Sequence, residues 1–276
     1  MSKLNKIVIR TKRQIFSEMI SNNPSIFEGE GFDFSELREY EYGDDVKKID
    51  WNITAKRQKP YIRVFNEERE LNIVVVALMD GSLNFGSKEF KVDILAEIVA
   101  LLGFSAIKNS DRFSFISYCK SGEFIVRGSK NINSINSSLS FIFDSKLIGN
   151  RCNYEDLSKE LFSMIKKRSI IFVLGDFFQK IDLRLLSKKH EVISIMIRDR
   201  LEEELPDLGV VNLCDPSTLN SLRTDLSKDL KREYKKRVLK IDHENFEHFR
   251  KNRISFIKIY THEKPFSKLK KLFIKR

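Results

Sequence analysis

The feature that most constrains this chain is the run Ile73–Leu78, Ile-Val-Val-Val-Ala-Leu. Five of its six residues are β-branched or leucine, and none is polar. A strand with one face in water alternates. One this uniformly apolar is buried on both faces, as in a parallel sheet covered by helices. Met79 closes the run and Asp80 follows, with Ser82 and Asn84 at alternate positions after it. Ligands of such sheets collect at the carboxyl ends of the strands. An acid and two small oxygen-bearing side chains at that end therefore pose a chemical question. An ion site is one open answer, and a turn with a helix cap is the other.

The pattern is regular from residue 71 onward. The spacing predicts strands over 71–79, 112–118, 122–128 (antiparallel to its predecessor), 169–175, 191–197 and a last one over 208–215. It predicts helices over 88–109, 130–143, 154–167 and 181–188, then a basic helical segment from about 218 to 252. "RISFIKIYT" and a short terminal helix follow. Strands alternating with helices argue for an α/β fold with a doubly wound, mostly parallel sheet of Rossmann type. The first 20 residues read as a helix, and "NNPSIFEGEGFDF" breaks into loop. Residues 33–70 are polar and dense in charge, with aromatics and Ile49 spread through them, so they are expected to pack on the larger sheet. Three parts result: residues 1–70, a core over 71–215, and a basic extension over 216–276 that completes the domain.

Charge is unevenly placed. Residues 223–276 hold 18 Lys and Arg against 7 Asp and Glu, which accounts for the net charge of +11. Such a segment suits nucleic acid, an anionic surface or an acidic partner. Its aromatics fall at core-like positions, so no stacking platform for bases is evident. The three cysteines are widely spaced and the four histidines lack metal-ligand spacing, which argues against a disulfide framework and a zinc site. With no signal-peptide core and no spanning segment, a soluble cytoplasmic protein is expected.

The strand at 169–175 also ends in an acid, Asp176. Two such ends are neighbours where the strand order of a doubly wound sheet reverses. Asp80, Ser82, Asn84, Asp176 and a residue near 150–153 can surround one hard cation, Mg²⁺, Ca²⁺ or Mn²⁺. "DGSLN" resembles the D-x-S-x-S opening of the metal-ion-dependent adhesion site in von Willebrand factor A domains. Asp80 and Ser82 match, Asn84 replaces the second serine, and Asp176 falls where the third-loop aspartate is expected. Cys152 is the nearest residue to the pattern's threonine, and a thiol is a poor Mg²⁺ ligand. "LGDFF" lacks the usual glycine after the aspartate. The resemblance implies a von Willebrand A-like fold and a site for Mg²⁺ or Mn²⁺, and these departures favour a degenerate, metal-free form of that adhesion site as the docking face.

Upstream, "FSELREYEYGDDVKKIDWNITAKRQKPYIRVFNEERE" resembles the signature of the bacterial family called domain of unknown function 58. Arg38, Tyr40, Gly43, Asp44, Asp45, Ile49, Asp50, Trp51, Thr54 and Ala55 match, and Glu68 and Glu70 fit its acidic run. The likeness continues through "DGSLNF", Lys91, "NSDRFSFISY", "LCDPSTL", Tyr234 and "YTHEKPFSKLKKLF". Within this signature, Ile49 and Trp51 are expected to anchor a loop while Arg38, Asp44, Asp45 and Asp50 satisfy backbone groups and each other. A docking surface is the functional alternative.

The resemblance implies a non-enzymatic interaction module. Its partners would be a MoxR-type AAA+ ATPase and a client protein, in chaperone-like assembly or metal insertion. Nucleic-acid or anionic-surface binding through the basic segment is the alternative, and a metal-assisted hydrolase is a weaker one. The chain has no G-x-x-x-x-G-K-[ST] phosphate cradle, no G-x-S-x-G nucleophile elbow and no histidine in a triad context.

Overall fold

The computed structural model describes residues 3–20, 36–44, 46, 49–64, 70–119 and 123–274 of the 276-residue chain. In chain order the elements begin with helix α1 (Lys3–Ile20), strand β1 (Glu36–Glu39), helix α2 (Trp51–Arg57) and strand β2 (Tyr61–Val64). There follow β3 (Asn72–Leu78), α3 (Lys91–Lys108), β4 (Arg112–Tyr118), β5 (Phe124–Ser129), α4 (Ile132–Asp144) and α5 (Leu157–Met164). The rest are β6 (Ile170–Gly175), α6 (Arg184–Ser187), β7 (Glu191–Arg198), β8 (Val210–Cys214), β9 (Ser221–Asp225), α7 (Lys228–Lys251), β10 (Ser255–Tyr260) and α8 (Pro265–Ile274). The chain divides into two compact units, Glu28–Glu70 and the remainder, Met1–Phe27 with Leu71–Arg276.

The larger unit is built on a six-stranded sheet in the order β10-β7-β6-β3-β4-β5. All neighbours are parallel except β5, which runs antiparallel to β4. The chain moves outward from β3 to β5, then returns to the other side of β3 with β6. The order therefore reverses between β3 and β6, which are hydrogen-bonded neighbours. This is the switch point at which doubly wound sheets hold their ligands.

The uniform apolar run is explained by two cores, one on each face. Ile73, Val75, Ala77 and Met79 of the central strand face α3, α4 and α8. Val74, Val76 and Leu78 face the other core, with Leu157, Leu161 and Phe249. Helix α3 is buried at every position from Lys91 to Ala106 except Asp93, because α1, α4 and α8 cover what the sheet does not. Helix α1 belongs to this larger unit by its contacts with α3, where Ile7 joins the core. The sequence reading groups α1 with residues 33–70 instead.

Two expectations for the last third fail. Residues 210–214 add no strand to the main sheet: β8 pairs only with β9, as an antiparallel ribbon whose residues are mostly exposed. The edge position beside β7 is taken by β10. Helix α7 accordingly starts at Lys228, with Ser227 accepting from the Leu230 N–H as its N-cap, rather than near 218. Among the described residues no helix is long and apolar enough to cross a membrane.

In the smaller unit β1 and β2 pair antiparallel, with α2 between them in sequence. The signature residues mostly hold this unit's own backbone. Asp50 caps α2 by accepting from the Asn52 and Ile53 N–H groups at 3.0 and 3.2 Å. Arg38 pairs with Asp44 at 2.6 Å, and Asp44 also accepts from the Glu41 N–H. Gly43 adopts φ +111°, a conformation side chains rarely take. The Tyr40 N–H donates to the Pro60 carbonyl, and the Tyr61 N–H to the Thr54 hydroxyl. Trp51 is no buried anchor: it opens α2 with 67% of its surface exposed, while Ile49 bridges to the buried Ile62. Asp45 lies outside the described residues.

One testable consequence concerns α3. Glu97 is buried in the middle of this helix, and burial pushes its carboxyl above the usual range although Arg10 of α1 pairs with it. Arg10→Ala leaves that acid alone in an apolar layer and should cost about 1–3 kcal/mol, by the usual penalty for stranding a buried polar group. Adding Glu97→Gln should return part of the loss, read by urea denaturation of the single and double variants.

Candidate functional site

The two strand ends meet as the switch point requires. Asp80 follows β3 and opens a 3₁₀ turn, Gly81–Asn84. Asp176 follows β6, and both acids are buried. The Ser82 hydroxyl donates to Asp176 Oδ2, which joins the two loops directly. Neither Asp80 nor Ser82 caps α3, whose N-cap is Phe90 with no side-chain bond. Asp80 stands instead at the N-cap position of the 3₁₀ turn, with no side-chain cap hydrogen bond.

The position beside Asp176 holds a positive charge from the chain itself. Lys91, the first residue of α3, is wholly buried, and its Nζ lies 3.1 Å from Asp176 Oδ2. The same ammonium donates to Glu202 Oε1 and faces the Phe178 ring, 5.3 Å from its centroid. Glu202 is fixed by a capping box: its other oxygen accepts from the Asp199 N–H at 3.0 Å. Asp199 in turn accepts from the Ser87 N–H and hydroxyl and from the Thr261 hydroxyl.

A second buried cation props the turn after Asp176. Phe177 adopts φ +51°, a left-handed conformation that is an outlier for an aromatic residue. The missing glycine of "LGDFF" is thus absent as a residue but present as a conformation. Arg198, fully buried at the end of β7, donates Nε to the Asp176 carbonyl at 2.6 Å and a terminal nitrogen to the Phe177 carbonyl at 3.3 Å. It also pairs with Asp242 at 2.8 Å and lies over the Phe178 ring at 3.6 Å. Asn245 of α7 donates to the Phe177 carbonyl as well.

These neighbours set the protonation of the acids. Burial alone would raise Asp176, but the Lys91 charge, the Ser82 hydroxyl and Arg198 hold it below the usual carboxylate range. Burial raises Asp80, against the opposing pull of Ser217 and the Cys152 N–H. Glu202 is also raised, because burial outweighs Lys91.

Across the site, the turn between β8 and β9 closes over Asp80. The Ser217 hydroxyl donates to Asp80 Oδ1 and accepts from the Ser82 N–H at 3.2 Å. The Gly149 N–H donates to the Pro216 carbonyl, and Gly81 lies so close beneath that a Cβ there would sit 2.3 Å from the Pro216 oxygen. Asp80 Oδ2 accepts from the Cys152 N–H at 3.2 Å, while the Cys152 thiol is turned to the Tyr118 carbonyl. Burial raises that thiol well above its ordinary value, so it stays protonated. Asn84 is exposed and stands outside this network.

Of the residues expected to ligate an ion, the structure thus brings Asp80, Ser82 and Asp176 together. As arranged, these donors do not fit a divalent ion. Asp176 Oδ2 already takes Ser82 and Lys91, and both oxygens of Asp80 are hydrogen-bonded. Two unit charges ~4 Å apart interact by about 4 kcal/mol under the screening typical of protein surfaces, and a doubly charged ion beside an ammonium doubles that repulsion. Among the described residues, no three or more His, Cys, Asp or Glu side chains are grouped to hold a metal ion. The sequence reading assigns no role to Lys91, Arg198, Glu202 or Ser217. The available signals are the family likeness at Lys91 for the first and at "LCDPSTL" for the last.

The aromatics of the basic segment are interior. Phe249 is buried, Phe246 stacks on Phe256 with centroids 4.8 Å apart, and Phe266 and Phe273 pack against the core under α3. Several basic side chains of α7 are paired, among them Lys231 with Asp207 and Lys235 with Glu204.

The family model described as "Protein of unknown function DUF58" matches residues 36–244, more than half of the chain. The chain belongs to that family. The uncharacterized protein Mb1516 of Mycobacterium bovis is 25% identical over 222 residues, covering 77% of this chain and 69% of its own length. Among solved structures, the conserved hypothetical protein BatB from Bacteroides thetaiotaomicron is similar at a TM-score of 0.44 and 12% identity, covering 74% of this chain and 98% of that one. The SpRpn10 VWA domain is similar at 0.41 and 10% identity, over 75% and 95%.

Two consequences of the site follow. Asp176→Ala removes one of the two carboxylates that hold the buried Lys91 ammonium, leaving it Glu202, and should cost about 1.5–3 kcal/mol, the range for a lost hydrogen bond to a charged group. Because Asp176 is held below its usual value, its stabilisation is present above the unfolded pKa and lost as pH falls through the folded one. The gap in thermal midpoint between wild type and Asp176→Ala should therefore be full near neutrality and narrow in acid below pH 3.8, the ordinary aspartate value. Gly81→Ala should lift the Asp215–Asn220 turn off the strand ends, seen as faster proteolysis within that turn at unchanged helix and sheet content.

Proposed function

We propose that this member of the family is a non-enzymatic protein-interaction module, an adaptor for a MoxR-type AAA+ ATPase, that docks through the carboxyl edge of its sheet. One observation carries the reading: the β8–β9 ribbon, latched at its tip to the strand-end acid Asp80, presents uncovered apolar side chains. Leu213 and Leu222 are paired across the ribbon with 40% and 63% of their surfaces exposed, and Leu219 in the turn is 58% exposed. A cluster of exposed leucines on a mostly exposed ribbon has the composition of a recognition face.

The chemistry of the site supports the non-catalytic part of the reading. Ser82 donates to Asp176, but a carboxylate held below its usual pKa by Lys91 and Arg198 is a poor general base. The Cys152 thiol is protonated and turned to a backbone carbonyl, so it is no nucleophile. His190 is buried and burial lowers its pKa. The MoxR partner and an unidentified client come to this chain from the family resemblance, and a cytoplasmic location fits such a partner.

The test is capture of the MoxR-type ATPase of the same organism on immobilised protein. Leu213→Asp with Leu222→Asp, both at exposed positions, should weaken capture at least about 10-fold, the equivalent of 1.4 kcal/mol, while leaving the thermal midpoint near that of wild type. Equal capture by wild type and this double variant would remove the ribbon from the docking face.

A further inference from the structure

The site keeps the frame of an ion-centred strand-end site but fills its centre with a side chain. We propose that the Lys91 ammonium is the resident cation of the switch-point site, standing where a divalent ion would otherwise be held, so that the site works without metal. Four features converge on this assignment. Lys91 Nζ lies 3.1 Å from the Asp176 carboxylate and donates to Glu202, with the Phe178 ring on a further side. The whole side chain is buried, and its enclosing groups come from α3, the end of β6 and the turn after β7. Glu202 is held in place by the capping box at Asp199, so the second carboxylate is built into the site rather than drifting toward it. The oxygen donors that serve an ion are each engaged: Ser82 with Asp176, Asp80 with Ser217 and the Cys152 N–H.

The lysine also accounts for departures in the ligand set. With a +1 charge already neutralising Asp176, a hard oxygen at position 152 has no ion to serve. A thiol bonded to the Tyr118 carbonyl is then tolerated there. Asn84 likewise stands exposed, away from the acids. Arg198, whose guanidinium grips the carbonyls of Asp176 and Phe177, adds a second positive charge that further opposes a divalent ion. This assignment stands independently of the docking reading, since its test needs no partner.

The experiment is calorimetric titration with Mn²⁺ alone, beside thermal melts in EDTA and in millimolar Mn²⁺, of wild type, Lys91→Ala and Ser82→Ala. Wild type should give no saturable heat and the same midpoint in both buffers. Lys91→Ala should melt lower than wild type in EDTA and gain a Mn²⁺-dependent rise, because removing the ammonium uncovers Asp176 and Ser82 for an ion. A merely structural ion pair predicts the lower midpoint without the Mn²⁺-dependent rise, so a folded Lys91→Ala indifferent to Mn²⁺ overturns the assignment. Saturable Mn²⁺ binding by wild type that is lost in Ser82→Ala also overturns it. Should Lys91→Ala fail to fold in either buffer, Lys91→Gln replaces it and is read by the same rise.

Discussion

A buried ammonium between two carboxylates is the interaction on which the rest of this structure hangs. Lys91 is fully enclosed, and an isolated ion there would be costly to desolvate. Asp176, Glu202 and the Phe178 ring make it tolerable, and each of these is held by something else. Asp176 is fixed through its carbonyl by Arg198, Glu202 through the Asp199 capping box, and Asp199 through Ser87 and Thr261. One charge thus ties the first turn of α3 to the ends of β6, β7 and β10. Such a network specifies a single arrangement, since a half-satisfied version is worse than none.

The strain at Phe177 belongs to the same economy of constraints. An aromatic residue in left-handed conformation persists only where its surroundings over-determine it. Here the ring is packed among Phe249 and the second core, and the carbonyl is gripped by Arg198 and Asn245. The turn directs the Asp176 side chain toward Ser82 and Lys91 while the backbone faces Arg198. A glycine would reach the same φ without strain but would give up the ring that seals the core beneath.

The sheet and its switch point are legible in the residues because their signals are local. Ile73–Leu78 announces a two-sided strand, and acids at 80 and 176 mark two strand ends that the topology makes neighbours. The centre of the site is not legible, because a lysine at a helix start reads as solvated in any one-dimensional pattern. Only the tertiary fold, which brings Asp176 and Phe178 after β6 and Glu202 after β7 against it, turns it inward. The last third misleads for a related reason. "LGVVNLCD" has a strand's composition, but composition does not say whether a strand joins the main sheet or a separate ribbon, and here β10 takes the edge. Trp51 misleads in the opposite sense: a lone tryptophan suggests an anchor, yet Asp50 caps α2 and leaves the ring at its exposed first position.

A site whose positive charge is its own side chain differs in kind from one centred on an exchangeable ion. An ion with an open position recruits a partner's acid as an added ligand and can be removed by a chelator. An ammonium buried between Asp176 and Glu202 has no such open position, so under the proposed docking reading recognition at this edge comes from what surrounds it. The Asp215–Asn220 turn is the element that covers the acids, through Ser217 on Asp80, and the same ribbon carries the exposed leucines. The ribbon is seated by the Ser217 hydroxyl on Asp80 and the Gly149 N–H on the Pro216 carbonyl, not by the Lys91 charge. On the proposed docking reading, the exposed pair Leu213 and Leu222, held at a fixed place by that polar latch, supplies the contact area.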